Sequence, residues 1–356
     1  MITWVANQRD TAWLCVGPPA AAVEFHRGLA EYAPTPLVDL PSLALELGVG
    51  RVLAKNEAGR LGLPAFKGLG ASWAINRVLA ARATDEPATI VTATDGNHGR
   101  AVAKFARLLG HRATIVIPPG VHPTAVQAVA DEGAEVLRCD GSYDDAVAQA
   151  ARIAQAPGHL LVQDTAWDGY EDVPTWIVEG YATMFAELDE QSDALGAGQP
   201  DVVVVPAGVG SLLQGALQHY RSAPRRLVTR VVSVEPVTAA CVLASVAAGE
   251  PTAVATSSTL LSGLNCGTVS SLAWPYIERG LDAAIAIEDN DAIRAARDLA
   301  TLGVPAGPCG GAALAALRSA LFGPDGQNHR DTLGIGPTST VAVLITEGSD
   351  ANPLPA

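Results

Sequence analysis

Lys67 lies in an apolar, glycine-flanked segment, Leu63-Pro64-Ala65-Phe66-Lys67-Gly68-Leu69-Gly70-Ala71, just ahead of a helical pattern. A lysine drawn out of water is expected to lose its proton more easily, because the charged form gives up hydration. A neutral amine can then form a Schiff base with a carbonyl compound. The plainer alternative is a surface lysine at a helix start, although a cation there opposes the helix dipole. Thr92-Ala93-Thr94-Asp95-Gly96-Asn97-His98-Gly99 follows a β-branched run and opens another helical pattern. Its polar groups gather at the carboxyl end of a strand, where open α/β sheets bind ligands; Asp95 or Asn97 could equally cap the helix. Pro206-Ala207-Gly208-Val209-Gly210-Ser211-Leu212 comes directly after a valine run. Glycines there let backbone N–H groups face a small anion such as phosphate at a helix N-terminus, or simply close a tight turn. The glycine spacing matches neither the Walker pattern nor the dinucleotide fingerprint. Gln163-Asp164-Thr165-Ala166-Trp167-Asp168-Gly169-Tyr170 places acids and aromatics after another strand, to bind or to pack a loop, and Thr346-Glu347-Gly348-Ser349 ends the last strand.

These segments need elements to hold them. From residue 89 onward the chain alternates β-branched runs with helical patterns. The runs at 89–94, 113–118, 134–139, 159–163, 201–206, 230–235, 283–288 and 340–346 read as strands. Helices are expected over 98–110, with Val102, Phe105, Leu108 and Leu109 on one face, over 123–132, from Tyr143, and over 174–188. The valine run at 201–206 suits a parallel strand buried on both faces. Such alternation implies mostly parallel sheets with right-handed crossovers. The β/α units within 71–163 form a small subdomain, and 1–70 with 164–356 a larger one. Residues 189–200 and 322–338, polar or rich in glycine and proline, are expected to be flexible surface loops.

Composition narrows the class. The chain has 356 residues, 49% of them hydrophobic and 17% charged, enough apolar material for a large core. With 23 basic and 37 acidic residues the net charge is −14, which argues against a nucleic-acid partner. No run of 18 apolar residues exists to span a membrane, and residues 1–22 lack the layout of a signal peptide. Five dispersed cysteines without a C-x-x-C pattern suit a reducing cytoplasm rather than disulfides, and neither cysteines nor histidines show metal-ligand spacing. No metal is expected.

The order of these segments, a lysine, then G-N-H, then a glycine turn, then a hydroxyl after the last strand, resembles the fold-type II pyridoxal-phosphate enzymes. The local wording is similar to the diaminopropionate ammonia-lyase branch, through Lys55-Asn56-Glu57-Ala58-Gly59-Arg60-Leu61-Gly62-Leu63-Pro64-Ala65-Phe66-Lys67, residues 92–100, 162–170 and 174–183. The resemblance runs from residue 34 to 350. Asn56 stands where that branch usually has aspartate, Leu61 replaces a phenylalanine, and Gly307-Pro308-Cys309-Gly310 differs from the branch's wording.

The resemblance implies two α/β subdomains with pyridoxal 5'-phosphate between them and an amino acid as substrate. Lys67 would be tethered to the cofactor and would later move the Cα proton. Phe66 would flank the ring, Asn97 would bond its phenolic oxygen, and Gly208, Val209, Gly210 and Ser211 would hold the phosphate. Thr346 would bond the pyridine nitrogen. Asp95 stands where dehydratases of this fold usually carry serine; a carboxylate there would attract a second ammonium group and could act as a base on the opposite face from Lys67. Asp164 would be a second anchor for that amine. Together these imply α,β-elimination of ammonia from D- or L-2,3-diaminopropionate, in a cytoplasmic homodimer. A dehydratase, a β-replacement enzyme, a racemase or a non-catalytic ligand-binding relative are the alternatives.

Overall fold

The computed structural model describes residues 3–94, 96–223 and 228–355. Its strands are β1 (Trp4–Ala6), β2 (Leu37–Asp39), β3 (Arg51–Asn56), β4 (Thr89–Ala93), β5 (Arg112–Ile117), β6 (Glu135–Arg138), β7 (His159–Leu161), β8 (Val202–Pro206), β9 (Arg230–Pro236), β10 (Ala283–Ile287) and β11 (Thr340–Ile345). They form a seven-stranded sheet, ordered β1-β10-β9-β8-β11-β3-β2, and a four-stranded sheet, ordered β6-β5-β4-β7. Only the edge strands β1 and β2 pair antiparallel; every other pairing is parallel. The fold is therefore α/β with mostly parallel sheets.

The central strands are buried on both faces, so period-2 alternation divides them between two cores. Val202, Val204, Val341, Val343 and Ile345 pack against the helices Asp289–Thr301 and Pro308–Phe322. Val203, Val205, Ala342 and Leu344 face a second core, which continues into the smaller sheet through Val102, Phe105 and Ile115.

Two expected loops are partly helical. Helix Ala182–Ala194 runs through the first half of 189–200. Two of its polar residues face partners: His219 Nε2 lies 2.8 Å from Asp189 Oδ2, and Ser192 Oγ donates to the Gly198 carbonyl at 2.6 Å. Within 322–338, helix Gly326–Leu333 ends on Gly334 with φ 66°. It is tied down by Arg330 donating to the Leu47 carbonyl and by His329 stacked 3.9 Å from Trp4. The helix expected over 174–188 is two segments, Asp172–Gly180 and Ala182–Ala194, meeting in a tightened turn at Tyr181.

Candidate active site

Each chemistry-bearing segment follows the carboxyl end of a parallel strand. Lys67 comes after β3, Asn97 and His98 after β4, Asp164 after β7, Gly208–Ser211 after β8, and Thr346 and Glu347 after β11. That is the edge where parallel sheets bind ligands.

Lys67 opens helix Lys67–Ala80. That helix crosses Asp172–Gly180 so closely that a methyl group at Gly70 would fall 2.7 Å from Ile177 Cγ2, and one at Gly180 would fall 2.5 Å from the Leu69 carbonyl oxygen. The approach from β3 is fixed by a buried ionic cluster. Arg60 donates to Glu57 at 2.8 Å and to Glu187 at 2.7 Å, and Lys55 donates to Glu187 at 2.6 Å, all four side chains at most 1% exposed. Removing one member of such a cluster leaves an unpaired buried charge, which costs about 3–5 kcal/mol. Leu61, bent to φ 51°, offers its carbonyl to Lys104 Nζ at 2.7 Å. Just before the lysine, Phe66 N donates to the Thr346 carbonyl at 3.1 Å, which fastens this segment to the end of β11.

Lys67 Nζ donates to Asp164 Oδ2 at 2.7 Å, joining residues from the two sheets. Burial would push the ammonium toward losing its proton, but Asp164, reinforced by Tyr181, outweighs it, so Lys67 titrates above the ordinary lysine range. This corrects the expectation from sequence, which had desolvation without the counter-charge. Burial likewise opposes the charge on Asp164, yet its neighbours His98 and Lys67 hold it well below the usual carboxylate range. Asp164 is oriented by Gln163, fully buried, whose Nε2 donates to Asp164 Oδ1 at 3.2 Å while its Oε1 accepts from Ala93 N at 2.9 Å.

Phe66 packs 4.9 Å from Tyr181, ring centroid to ring centroid. Tyr181, its hydroxyl pushed up to about 12 by burial, also lies against Gly215 in the helix that follows the glycine turn. Asn97 Nδ2 donates to Glu347 Oε2 at 2.8 Å. One N–H of that amide remains for a further acceptor. Glu347 also accepts from the Cys309 backbone N–H at 3.2 Å, and burial raises its pKa. Asp95 lies outside the described residues. Its neighbours are held by the Thr94 hydroxyl, which accepts from the backbone N–H groups of Gly96 and Gly99, both at 3.0 Å.

Sequence reasoning passed over Tyr181, His98 and Glu347 as site residues. Glu347 was in view beside Thr346, but its partner Asn97 is 250 positions away.

The residues present fit pyridoxal phosphate. The Thr346 hydroxyl is buried with no hydrogen-bond partner among the described residues, which leaves it free for a ring nitrogen. The turn at Gly210 has φ 100°, open to glycine, and a methyl group at Gly208 would fall 3.0 Å from Cys266 Sγ, so the backbone lies bare at the start of helix Ser211–Tyr220. An amine and an unpaired hydroxyl, with a bare N-terminal turn, are the donor set such a group needs.

Comparison with known proteins agrees. A family model described as "Pyridoxal-phosphate dependent enzyme" matches residues 29–346. Diaminopropionate ammonia-lyase of Escherichia coli K12 is 35% identical over 351 residues, covering 92% of this chain and 87% of that protein. The Salmonella typhimurium protein of the same name is 37% identical over 287 residues, covering 74% of this chain and 71% of its own. A crystal structure of the E. coli enzyme, with an aminoacrylate-PLP azomethine reaction intermediate, superposes with a TM-score of 0.89 at 33% identity, covering 98% of this chain and 94% of that one.

Proposed function

The chain belongs to the pyridoxal-phosphate-dependent enzyme family, and from that premise we propose that it is a lyase that eliminates ammonia from 2,3-diaminopropionate, leaving pyruvate and a second ammonia. The observation that carries this reading is the carboxylate of Asp164, 2.7 Å from the amine of Lys67 in a site that also holds an unpaired Thr346 hydroxyl. An acidic group at that point favours a substrate with a second ammonium group over one with a hydroxyl.

Pyridoxal phosphate, when bound, supplies an aldehyde that condenses with amines and a conjugated ring that takes up the electrons left when a Cα–H bond breaks. Lys67 would hold the aldehyde carbon, the N–H groups of Gly208, Val209, Gly210 and Ser211 would hold the phosphate, the Thr346 hydroxyl would serve the ring nitrogen, Phe66 would flank the ring and Asn97 would offer its second N–H. Lys67, once released by the substrate amine, would take the Cα proton on its own face. The resemblance gives Asp95 the role of base toward the other enantiomer, which would let both react. Asp164 draws in the β-ammonium and keeps it protonated, since an amine leaves readily only as neutral ammonia from its ammonium form. Elimination yields an enamine, and water converts it to pyruvate.

Residues 71–163 form the smaller unit of the site in this reading and the rest the larger. Five dispersed cysteines without a C-x-x-C pattern support a reducing cytoplasm. A homodimer rests on the resemblance alone. No helix among the described residues is long and apolar enough to cross a membrane.

The test is a substrate panel: D- and L-2,3-diaminopropionate, serine and threonine, with pyruvate and ammonia measured together. Two ammonia per pyruvate from diaminopropionate, at a kcat/KM well above that for serine or threonine, is expected. A preference for serine or threonine would overturn the assignment in favour of a dehydratase. Asp95→Ser should lower diaminopropionate turnover more than cofactor binding.

A further inference from the structure

Most groups read as gripping the cofactor stand on the larger sheet: Phe66 and Lys67 after β3, the Gly208–Ser211 turn after β8 and Thr346 after β11. Asn97 alone among them comes from the smaller sheet, at the start of helix Asn97–Leu108 after β4. A group on the second sheet keeps its place only if something registers it to the first. Glu347, next to Thr346 and 4% exposed, makes that connection. Its Oε2 accepts from Asn97 Nδ2 at 2.8 Å, and its Oε1 accepts from the Cys309 backbone N–H at 3.2 Å. That N–H lies in the first turn of helix Pro308–Phe322, where amide donors lack partners within the helix and favour a negative charge. The backbone there is pressed against the glutamate: a methyl group at Gly307 would fall 3.1 Å from Glu347 Oε1, and one at Gly310 would fall 2.5 Å from the Glu347 carbonyl oxygen.

Both oxygens of Glu347 thus meet donors, which suits the carboxylate form, while burial works against the charge. The titratable group facing it is the Cys309 thiol, which burial, reinforced by Glu347, keeps neutral. A carboxylate only accepts, so the nitrogen of the Asn97 amide, and not its oxygen, must face Glu347. An amide free to turn over would present an oxygen where a donor is wanted. With the nitrogen anchored, its second N–H leaves in a fixed direction.

We propose that Glu347 is a positioning residue for the cofactor ring: it fixes which end of the Asn97 amide is presented, so that the second N–H serves the phenolic oxygen. Glu347 makes and breaks no covalent bond. The segment carrying Lys67 is fastened to the same strand end, because Phe66 N donates to the Thr346 carbonyl at 3.1 Å. Amine, hydroxyl and amide therefore share one reference point at the end of β11, although the amide belongs to the other sheet. The inference rests on reading Asn97 as the partner of the phenolic oxygen and goes beyond it by naming what sets that amide.

The test is Glu347→Gln, made in the wild type and in Asn97→Ala. The Cys309 N–H still needs an acceptor, so the new amide turns its oxygen there and sets its NH2 group against that of Asn97, donor against donor. Asn97 must turn over, and its donor is lost. Pyridoxal phosphate affinity, titrated on the cofactor-free proteins, should fall about tenfold in Glu347→Gln, as the loss of one hydrogen bond to a charged group would produce. It should fall about as far in Asn97→Ala, and no further in the double variant. Equal losses in both backgrounds, or no loss in Asn97→Ala, overturn the proposal. The pH titration of the visible absorbance of the bound cofactor separates positioning from charge. An N–H on the phenolic oxygen favours the deprotonated chromophore, so losing it moves the titration of Glu347→Gln to higher pH. Losing only a nearby negative charge would move it to lower pH, and that result, or no movement, overturns the proposal. Neither readout uses a substrate, so a preference for serine or threonine would sink the proposed function while these measurements still judge Glu347. Should the variant fail to fold, the side-chain amide of Asn97 in the wild-type holoenzyme decides. Two N–H signals both protected from solvent exchange support the proposal, and rapid exchange of either overturns it.

Discussion

Asp164→Asn keeps the shape of the side chain and removes its charge. In the wild type the lysine side chain is 25% accessible and the aspartate 15%, with 2.7 Å between Nζ and Oδ2. Two unit charges that close attract by about 6 kcal/mol at an effective dielectric of about 20. Water reaching a pair this open cuts that by about half, to about 3 kcal/mol, or about two pKa units. Burial acts in the opposite direction, and in the variant only the weaker pull of Tyr181 and Cys266 opposes it. Lys67 should therefore lose its proton about two units more readily than in the wild type. The assay is brief reductive methylation of the cofactor-free protein at pH 8, with the modified peptides counted by mass spectrometry. It is unusually clean, because the chain contains only three lysines: Lys55 is fully buried and Lys104 is tied to Glu31 and the Leu61 carbonyl. Lys67 of the variant should be labelled about a hundredfold faster than in the wild type, the equivalent of two pKa units. An equal or slower rate would refute the reasoning that Asp164, and not burial, governs this amine. Ammonia release from diaminopropionate should nonetheless fall, since the anchor for the β-ammonium is gone.

Thr346→Val removes a buried hydroxyl that has no partner, so the cofactor-free protein should melt at the same temperature or be stabilised by up to about 1 kcal/mol, while cofactor affinity, read by titration, falls about tenfold. A loss of stability with unchanged affinity would make Thr346 purely structural. Glu235 offers a pH test of the fold. Burial pushes its carboxyl up to about 8, partly offset by the N–H groups of Val242 and Leu243 that it accepts. The folded state binds that proton more tightly than the unfolded chain, so its contribution is complete below the unfolded value near 4.5 and drains away as pH rises toward about 8. The urea midpoint should decline between pH 5 and 8, with a flatter slope in Glu235→Gln; parallel slopes in the two proteins would contradict this.

How much of this was legible in the sequence depends on the range of the interaction. The strands from 89 onward and the glycine turn announce themselves locally, because β-branched runs and turn residues act over a few positions. Strand β3 hides behind Lys55, a charged residue whose burial makes sense only once Glu187, 132 positions away, is beside it. Helix Ala182–Ala194 was obscured for the same reason: its polar residues are solvated by partners such as His219 and Lys55 rather than by water. Within the site, Lys67 and Asp164 could each be picked out from type and position. Their contact could not, and it reverses the direction of the lysine's pKa. His98, buried beside them, meets a carbonyl 64 positions on, that of Val162.

The central claim is that one lysine of three carries the cofactor. Reducing the holoenzyme with borohydride and mapping its peptides tests that directly. The pyridoxyl mass should appear on the peptide containing Lys67 and be absent from those containing Lys55 and Lys104. Attachment at either of those two, or recovery of three unmodified lysines from cofactor-loaded protein, would contradict the account.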